Sequence, residues 1–435
     1  MNTVSFHTIG CKLNQYETQT LIDTFRSAGF CIKSPKEVAD VCIINTCCVT
    51  HTAEQTARNL VRRIVRLYPK PYVVVTGCYA RLNSYSIKKI RGVDLIEYDK
   101  AKICRDMINV GLKPTISSFS GHTRAFVKIQ DGCNNFCSFC ILPFVRGKSF
   151  SRPHKEILQE VETIAERGYM EVILTGINLG DYRDNGCTLT DLLRLIEVLP
   201  DLYRLRISSI EPHSIGEQFV DFLKGSKKIC RHLHIPLQSG DDEILKKMRR
   251  RYTTEQYARM ISLLKRSISD LTIGADVIVG FPGESEENFQ RTCDFIRQIP
   301  LSYLHVFRYS TRPRTEATTF RPNVSEEVKK IRSGKLREIG KKKWREYRTR
   351  FLGKTLQCLV ENKRDRESKK LVGISDNYIK VLFEGQDSLM GEFVPIQIEN
   401  ITDKFCIGTL DKRKETTENT KLTQKKRKTQ PPAGL

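Results

Sequence analysis

The stretch VKIQDGCNNFCSFCILPFVRGKSFSRP, residues 127–153, decides how this chain is read. Its opening residues are apolar and β-branched and belong to a strand expected at Ala125–Gln130. Three cysteines follow at once, Cys133, Cys137 and Cys140, in the spacing CxxxCxxC. Thiolates bind iron, and gaps of two or three residues let several sulfurs converge on one cluster. Three ligands leave one iron open to hold a substrate or cofactor, whereas a fully ligated cluster only moves electrons. No histidine stands nearby at zinc-finger spacing, so a structural zinc site lacks its fourth ligand. The loop sits at the C-terminal end of a strand, where α/β barrels carry their active sites.

Downstream of the loop, strand-like and helical segments alternate. The strands are Glu171–Thr175, Arg204–Ser208, His232–Pro236, Thr272–Val279 and Tyr303–Tyr309, with helices such as His154–Arg167 and Thr254–Ser267 between them. Six such units predict a partial or complete α/β barrel. Upstream, residues 113–124 (KPTISSFSGHTR) have a linker composition. Before them lie three strands, Val4–Ile9, Val41–Asn45 and Tyr72–Thr76. A helix capped by Asn14, with Glu17 completing a variant capping box, follows the first, and a helix over Thr52–Leu67 follows the second. That alternation predicts a parallel sheet covered by helices. Beyond the barrel comes a basic helix, Glu326–Arg350, and then short alternating strands at Gln357–Glu361, Tyr378–Phe383, Phe393–Ile398 and Cys406–Thr409. The expected organisation is α/β overall. It has an α/β cluster-binding domain at 1–115, a barrel with its basic helix at 125–350, a small all-β module at 351–410 and a disordered basic tail at 411–435.

Fifteen cysteines are many for a chain of 435 residues. No basic segment followed by an apolar one opens the chain, so a secretory signal is not expected and cytoplasm is the default. No apolar run approaches the ~18–20 residues of a membrane helix, so no membrane partner is expected. In that setting cysteines point to metal or redox chemistry rather than to disulfides. Cys11, Cys47 and Cys78 each follow an expected strand, and sites in open α/β sheets lie beyond the strands' carboxyl ends. Spacing alone leaves two readings open: three converging ligands, or three small residues buried at strand ends. Gly10 and Gly77, which let a backbone approach closely, favour the first. Cys48 should point elsewhere, and the remaining cysteines read as small packing residues.

The net charge is +23. A polyanionic partner is the natural reading, nucleic acid first. Residues 329–350 hold 11 Lys/Arg against two acids, and Lys363, Arg364, Arg366, Lys369 and Lys370 form a second cluster. Lys425, Lys426, Arg427 and Lys428 form a third, read as a solubilising extension. Such contacts give affinity and salt dependence rather than sequence specificity.

The CxxxCxxC loop resembles that of the radical S-adenosylmethionine (SAM) superfamily, and the whole of 127–153 resembles the methylthiotransferases within it. So do GCKLNQYE, INTCCVT and TGCYA in the first domain, and PLQSGDDEILKKMRRRYT and GADVIVGFPGESEE in the second. The last module is similar to a TRAM domain, an RNA-binding fold. The resemblance implies two 4Fe–4S clusters as metal sites. One, at Cys133, Cys137 and Cys140, would bind the amino and carboxylate groups of SAM and cleave it to a 5′-deoxyadenosyl radical. The other, at Cys11, Cys47 and Cys78, would hold the sulfur that becomes a methylthio group. No protein side chain is implied as a catalytic acid or base.

The same resemblance implies cofactor contacts. Phe139 would lie near the adenine of SAM, and Thr175, Gly176 and Asn178 near its methionine end. Ser208, Gln238, Arg250 and Asp276 would meet its ribose or carboxylate. Gly10–Glu17 is similar to the branch acting on N6-threonylcarbamoyladenosine beside the anticodon. A branch acting on N6-isopentenyladenosine is the alternative, and a non-catalytic iron–sulfur protein that binds RNA or carries electrons is the rival from another class. Implied partners are the tRNA anticodon stem-loop and an electron donor such as flavodoxin or ferredoxin. Arg146, Lys148, Lys363, Arg364, Lys369 and Lys370 are candidate RNA contacts. Arg146 and Lys148 are also candidates to meet the threonylcarbamoyl carboxylate. Arg314 departs from the family pattern, in which a glycine is commoner. Truncation before Thr355 is expected to weaken tRNA binding and leave SAM cleavage intact.

Overall fold

The computed structural model describes residues 3–411 apart from positions 114, 117 and 120. The expected tail, with its Lys425–Lys428 cluster, lies outside the described residues except for Asp411.

The first unit is a five-stranded sheet in the order Cys31–Lys33, Thr3–Thr8, Val41–Thr46, Tyr72–Gly77 and Leu95–Ile96. All its pairings are parallel. Alternate residues serve two cores: Ile43 and Val74 face Leu21 and Phe25, whereas Ile44 and Val75 face Ala57 and Val61. A strand buried on both faces reads as a continuous apolar run, which is why Val41–Thr46 is legible. The direction in which strands are added reverses between Thr3–Thr8 and Val41–Thr46, a topological switch point.

The helix after the first strand spans Lys12–Ser27, with Cys11 as its N-cap. Asn14 is therefore inside the helix and does not cap it. Its amide instead donates to the carbonyls of Ile9 (2.9 Å) and Thr46 (3.2 Å), tying two strand ends together. The second helix, His51–Ile64, is capped by the Thr50 hydroxyl, which accepts from the Ala53 N–H at 3.1 Å.

Six parallel strands then form two triplets. One is ordered Arg204–Ile207, Glu171–Thr175, Ala125–Lys128, the other His232–His234, Thr272–Val279, Tyr303–Arg308. Bridges at Leu205–Ile229 and Ser209–His234 join the triplets into one curved wall. Among the described residues the first and last strands do not pair, so the barrel is partial. Helix Lys12–Ser27 packs on Ala125–Lys128 at that open flank, and its Tyr16 hydroxyl donates to Glu160 at 2.9 Å. The expected linker carries Ile116 and Phe119 into the barrel core.

The last strands close a five-stranded barrel in the order Thr355–Val360, Leu371–Ser375, Lys380–Phe383, Cys406–Leu410, Phe393–Ile401. Leu371–Ser375 is not among the expected strands, because Gly373 and Ser375 interrupt its apolar pattern. This module sits beneath the larger barrel. Buried Arg206 donates to the carbonyls of Ser375 (3.1 Å) and Asp376 (3.0 Å), and Tyr378 stacks on His232 with ring centroids 4.4 Å apart.

Helix Glu326–Thr349 lies along Tyr303–Arg308. Several of its cations face protein and not solvent. Arg332 pairs with Glu284 at 2.7 Å, Lys343 donates to the Ile299 carbonyl at 2.8 Å, and buried Arg348 donates to the Asp403 carbonyl at 3.0 Å. The helix is a strut between barrel and β module, and only part of its charge is free for phosphate. Among the described residues no helix is long and apolar enough to cross a membrane.

Candidate functional site

Cys11, Cys47 and Cys78 sit beyond the carboxyl ends of the first, third and fourth strands, two of them at the switch point. Gly10 has φ +128°, and a Cβ there would lie 2.9 Å from the Cys47 Cβ. Gly77 has φ +92°, and a Cβ there would collide with Asn45 Oδ1 and the Thr46 backbone. Both glycines are thus required for the three loops to meet. Cys47 and Cys78 are buried and Cys11 is exposed. Burial pushes the Cys47 thiol up to about 11, with Cys78 and Cys11 among the neighbouring charges that add to it. Cys48 does not point away: its thiol hydrogen-bonds Cys78 and draws that sulfur below the ordinary thiol range. Asn45 Oδ1 and Thr76 Oγ1, buried behind the triad, have no partner among the described residues.

The second triad is shaped by close backbone approach. Gly132, at φ +70°, leaves no room for a Cβ against the Lys148 carbonyl. Cys133 N–H donates to the Gly147 carbonyl at 3.1 Å, and Cys140 N–H to the Cys137 carbonyl at 2.9 Å. Ser138 is anchored to the next wall by its hydroxyl on the Lys247 carbonyl at 2.7 Å. Burial pushes Cys133 up to about 11 and Cys140 up to about 12. Arg250 stands beside the loop, donating to Cys137 Sγ at 3.3 Å while paired with Glu211.

The donor chemistry of both triads fits iron–sulfur clusters. Each offers three thiols and no harder ligand, and burial that raises a thiol's pKa is offset by a bound metal's charge. A single zinc ion holds its sulfurs at ~2.3 Å, which sets them less than about 4 Å apart. Among the described residues, the only histidine, cysteine or acidic group of three with ligand atoms all within 4.8 Å is His234, Asp276 and His305. Neither cysteine triad forms so tight a group.

The expected SAM contacts divide into two sets. Phe139, Gln238 and Asp276 line one cavity of about 200 Å³, together with Cys140, Val49, Thr50 and Arg312. Thr175, Gly176, Asn178 and Ser208 lie at neighbouring strand ends and do not line that cavity. The amide of Asn178 and the hydroxyl of Ser208 are buried without partners among the described residues, which fits polar atoms kept for a ligand. Asp276 is held by His234 Nε2 at 2.9 Å and His305 Nδ1 at 3.4 Å, and these bonds keep its carboxyl well below the usual range against the effect of burial.

Two residues that organise the site lie outside the sequence expectations. Gln130, fully buried, accepts from the N–H groups of Ile177 (2.9 Å) and Asn178 (2.8 Å) and donates to the Gly132 carbonyl at 2.7 Å. It joins the cysteine loop to the next strand end, and its place three residues before Cys133 is the available signal. Arg312 reaches from the barrel to Glu54 (2.7 Å) and the Cys48 carbonyl (3.2 Å). Its partners lie some 260 residues away in sequence, so nothing local marks it.

The candidate RNA contacts need correction. Arg146 has only 6% of its side chain exposed, because Glu17 (2.8 Å), Asp131 (3.1 Å) and Asn14 (2.7 Å) surround its guanidinium. It clamps the first unit to the barrel and is not a surface arginine. Arg364 is likewise held by Asp387 and two carbonyls, and Lys370 pairs with Glu384 at 3.4 Å. Lys148, Lys363 and Lys369 are exposed. Arg314 takes φ +67°, the conformation that makes glycine commoner there.

The chain matches the model of the Radical SAM superfamily at residues 127–296 and that of uncharacterized protein family UPF0004 at residues 3–97. It is 38% identical, across 92% of its length and 94% of the relative's, to threonylcarbamoyladenosine tRNA methylthiotransferase MtaB of Bacillus subtilis. It is 34% identical, across 92% and 96%, to tRNA-2-methylthio-N(6)-dimethylallyladenosine synthase of Pelotomaculum thermopropionicum. In fold it is similar to the radical S-adenosylmethionine methyltransferase TsrM of Kitasatospora setae, with a TM-score of 0.54 and 15% identity over 71% of this chain and 73% of that one. Both halves of the site are thus matched, and full-length relatives exceed 30% identity: the chain belongs to the radical SAM methylthiotransferase family.

Proposed function

We propose that this enzyme adds a methylthio group to C2 of N6-threonylcarbamoyladenosine beside the anticodon of tRNA. The observation that carries the reading is the meeting of the two cysteine loops. Val49 and Thr50, two and three residues after Cys47, line the same cavity as Phe139 and Cys140. Sulfur held on one side and a radical generated on the other would then act on one base. Four relatives at 33–38% identity are named for the threonylcarbamoyl substrate, which supports that branch.

In this reading Cys133, Cys137 and Cys140 hold one 4Fe–4S cluster and Cys11, Cys47 and Cys78 the other. When bound, the two clusters and SAM supply the radical, the sulfur and the methyl group. Phe139 covers the adenine, Gln238 and Asp276 hold the ribose, and Asn178, Ser208 and Arg250 take the polar end of SAM. His234 and His305 keep Asp276 ionised and in place. Lys148, Lys363 and Lys369 meet phosphates of the anticodon stem-loop, and the closed β module serves as a TRAM-like RNA platform. A flavodoxin or ferredoxin supplies the electron, and a tRNA substrate places the reaction in the cytoplasm.

The test is nucleoside mass spectrometry of tRNA incubated with anaerobically reconstituted enzyme. Methylthiolation of threonylcarbamoyladenosine, and not of isopentenyladenosine, is expected. The reverse pattern overturns the branch and leaves the family untouched.

A further inference from the structure

Three neighbouring strands of the second triplet bring two imidazoles and a carboxylate together. Asp276 is in register with His305 on the next strand, and His234 with Gly274, two residues before Asp276. Side chains two residues apart on a strand share a face, so His234, Asp276 and His305 lie side by side on one face of the wall. His234 Nε2 stands 2.9 Å and His305 Nδ1 3.4 Å from the same carboxylate oxygen, and the two rings stack with centroids 5.0 Å apart. His234 is buried, Asp276 partly buried and His305 exposed. At Gly274 a Cβ would collide with the Tyr303 ring, so the glycine makes room for it. The Tyr303 hydroxyl so placed lies 3.2 Å from Nδ1 of His234 and 2.8 Å from Nε2 of His232. It engages the rear nitrogen of His234, whose Nε2 faces Asp276.

Spacing and donor type both suit a metal ion. Ligand bonds of about 2.1 Å set neighbouring donors roughly 3.0 Å apart at a right angle and roughly 3.4 Å apart at the tetrahedral angle. The two distances to Asp276 match that range, whereas 3.4 Å is long for a hydrogen bond from an imidazole N–H. Two imidazoles and one carboxylate suit zinc or ferrous iron and not the all-oxygen shells of magnesium or calcium, and zinc binds such a set more tightly than ferrous iron. A ligating histidine is ordinarily held at its other nitrogen by a second group, and Tyr303 does this for His234. We propose that His234, Asp276 and His305 form a mononuclear zinc site in the barrel, separate from both cysteine triads. Three protein ligands leave a fourth position for water or a carboxylate. Asp276 also lines the cavity of about 200 Å³ with Phe139 and Gln238, so that ligand comes from the cavity. Both histidines approach Oδ1, and Oδ2 stays available to the ribose.

The test uses the full-length enzyme with its clusters reconstituted anaerobically, so that the cysteines proposed as ligands are occupied. The protein is given excess zinc chloride, passed over a chelating resin and analysed for zinc and iron. It should retain about one zinc per chain, and X-ray absorption at the zinc edge should show nitrogen and oxygen neighbours and no sulfur. Asp276→Ala and His305→Gln should each cut the retained zinc by about tenfold or more and leave the iron count unchanged. Tyr303→Phe keeps the ring and removes only the hydroxyl, and should raise the zinc dissociation constant by about 10–100-fold. The wild-type spectrum stands independently of how the variants fold. Loss of zinc from the wild-type enzyme on the resin, sulfur in the zinc shell, or equal retention by Asp276→Ala and His305→Gln overturns the site and leaves the methylthiotransferase reading standing. An unchanged constant in Tyr303→Phe overturns the supporting role of that hydroxyl.

Discussion

Arg146 illustrates how a side chain can carry an arrangement that sequence does not announce. Its guanidinium bridges Asn14 and Glu17 of the first unit to Asp131 of the barrel. In the sequence it is one basic residue among many after the cysteine loop, and its partners on the first helix lie some 130 positions earlier. The six cysteines proposed as ligands, by contrast, stand out in the sequence, because few residue types bind iron and their places after strands are regular. Arg146→Met should destabilise the fold by about 1.5–3 kcal/mol, since it removes the closest partner of buried Glu17, which keeps Lys100 at 3.1 Å. The fall in thermal midpoint, compared with Lys148→Met as an exposed control, checks it.

His7 is a second residue whose environment sets a measurable property. Burial, aided by the charge of Arg63, lowers its pKa from 6.5 to about 4. The unfolded chain therefore takes up a proton before the folded chain does. Its contribution to stability is complete above pH 6.5, is lost as pH falls toward 4, and is constant below that. The loss is on the order of 3 kcal/mol. Urea midpoints of His7→Gln should decline less than those of the native chain over that interval.

At the scale of elements, what can be read is what burial imposes. Strands covered on both faces appear as apolar runs, and Val41–Thr46 and Thr272–Val279 are of that kind. The first helix begins at Lys12 because Cys11 adopts extended angles, φ −79° and ψ 176°, a turn that composition does not signal. The strand-to-loop junctions carry their own tests. Cys133→Ala should abolish SAM cleavage and methylthiolation together, whereas Cys47→Ala should stop only sulfur insertion. Iron should stand near eight per chain and fall to about four when either triad is removed. Gly77→Ala should imitate loss of the first triad without touching a ligand, because its Cβ has no room beside Asn45. Iron counts paired with 5′-deoxyadenosine release distinguish these outcomes.

At the scale of the whole molecule, the β module is docked into the barrel and not merely appended to it. Arg204 donates to the Gln357 carbonyl at 2.6 Å, Thr272 to the Asn377 carbonyl at 2.6 Å, and Arg206 reaches two more. Truncation before Thr355 would uncover the buried Arg206–Glu171 pair, so SAM cleavage should not survive it intact, contrary to the expectation from sequence alone. Separable domains and a docked plug have the same composition, and only the side chains that cross between them tell the two apart. The proposed RNA role is better tested on the exposed lysines. Lys363→Glu with Lys369→Glu should weaken tRNA binding and flatten its salt dependence by about 0.7–0.9 for each phosphate no longer neutralised. Binding isotherms between low and moderate salt would show it, with melting unchanged.

The turn at 375–378 beneath the barrel has a consequence for timing. Arg206, Tyr378 and His232 stopper the barrel from below, and the first helix screens its flank. Entry is then expected from the strand ends above, where the cysteine loops lie. A nucleic acid bound over those loops would slow the entry of a small cofactor beneath it. Enzyme mixed first with tRNA should therefore show a lag on adding SAM that enzyme mixed first with SAM does not.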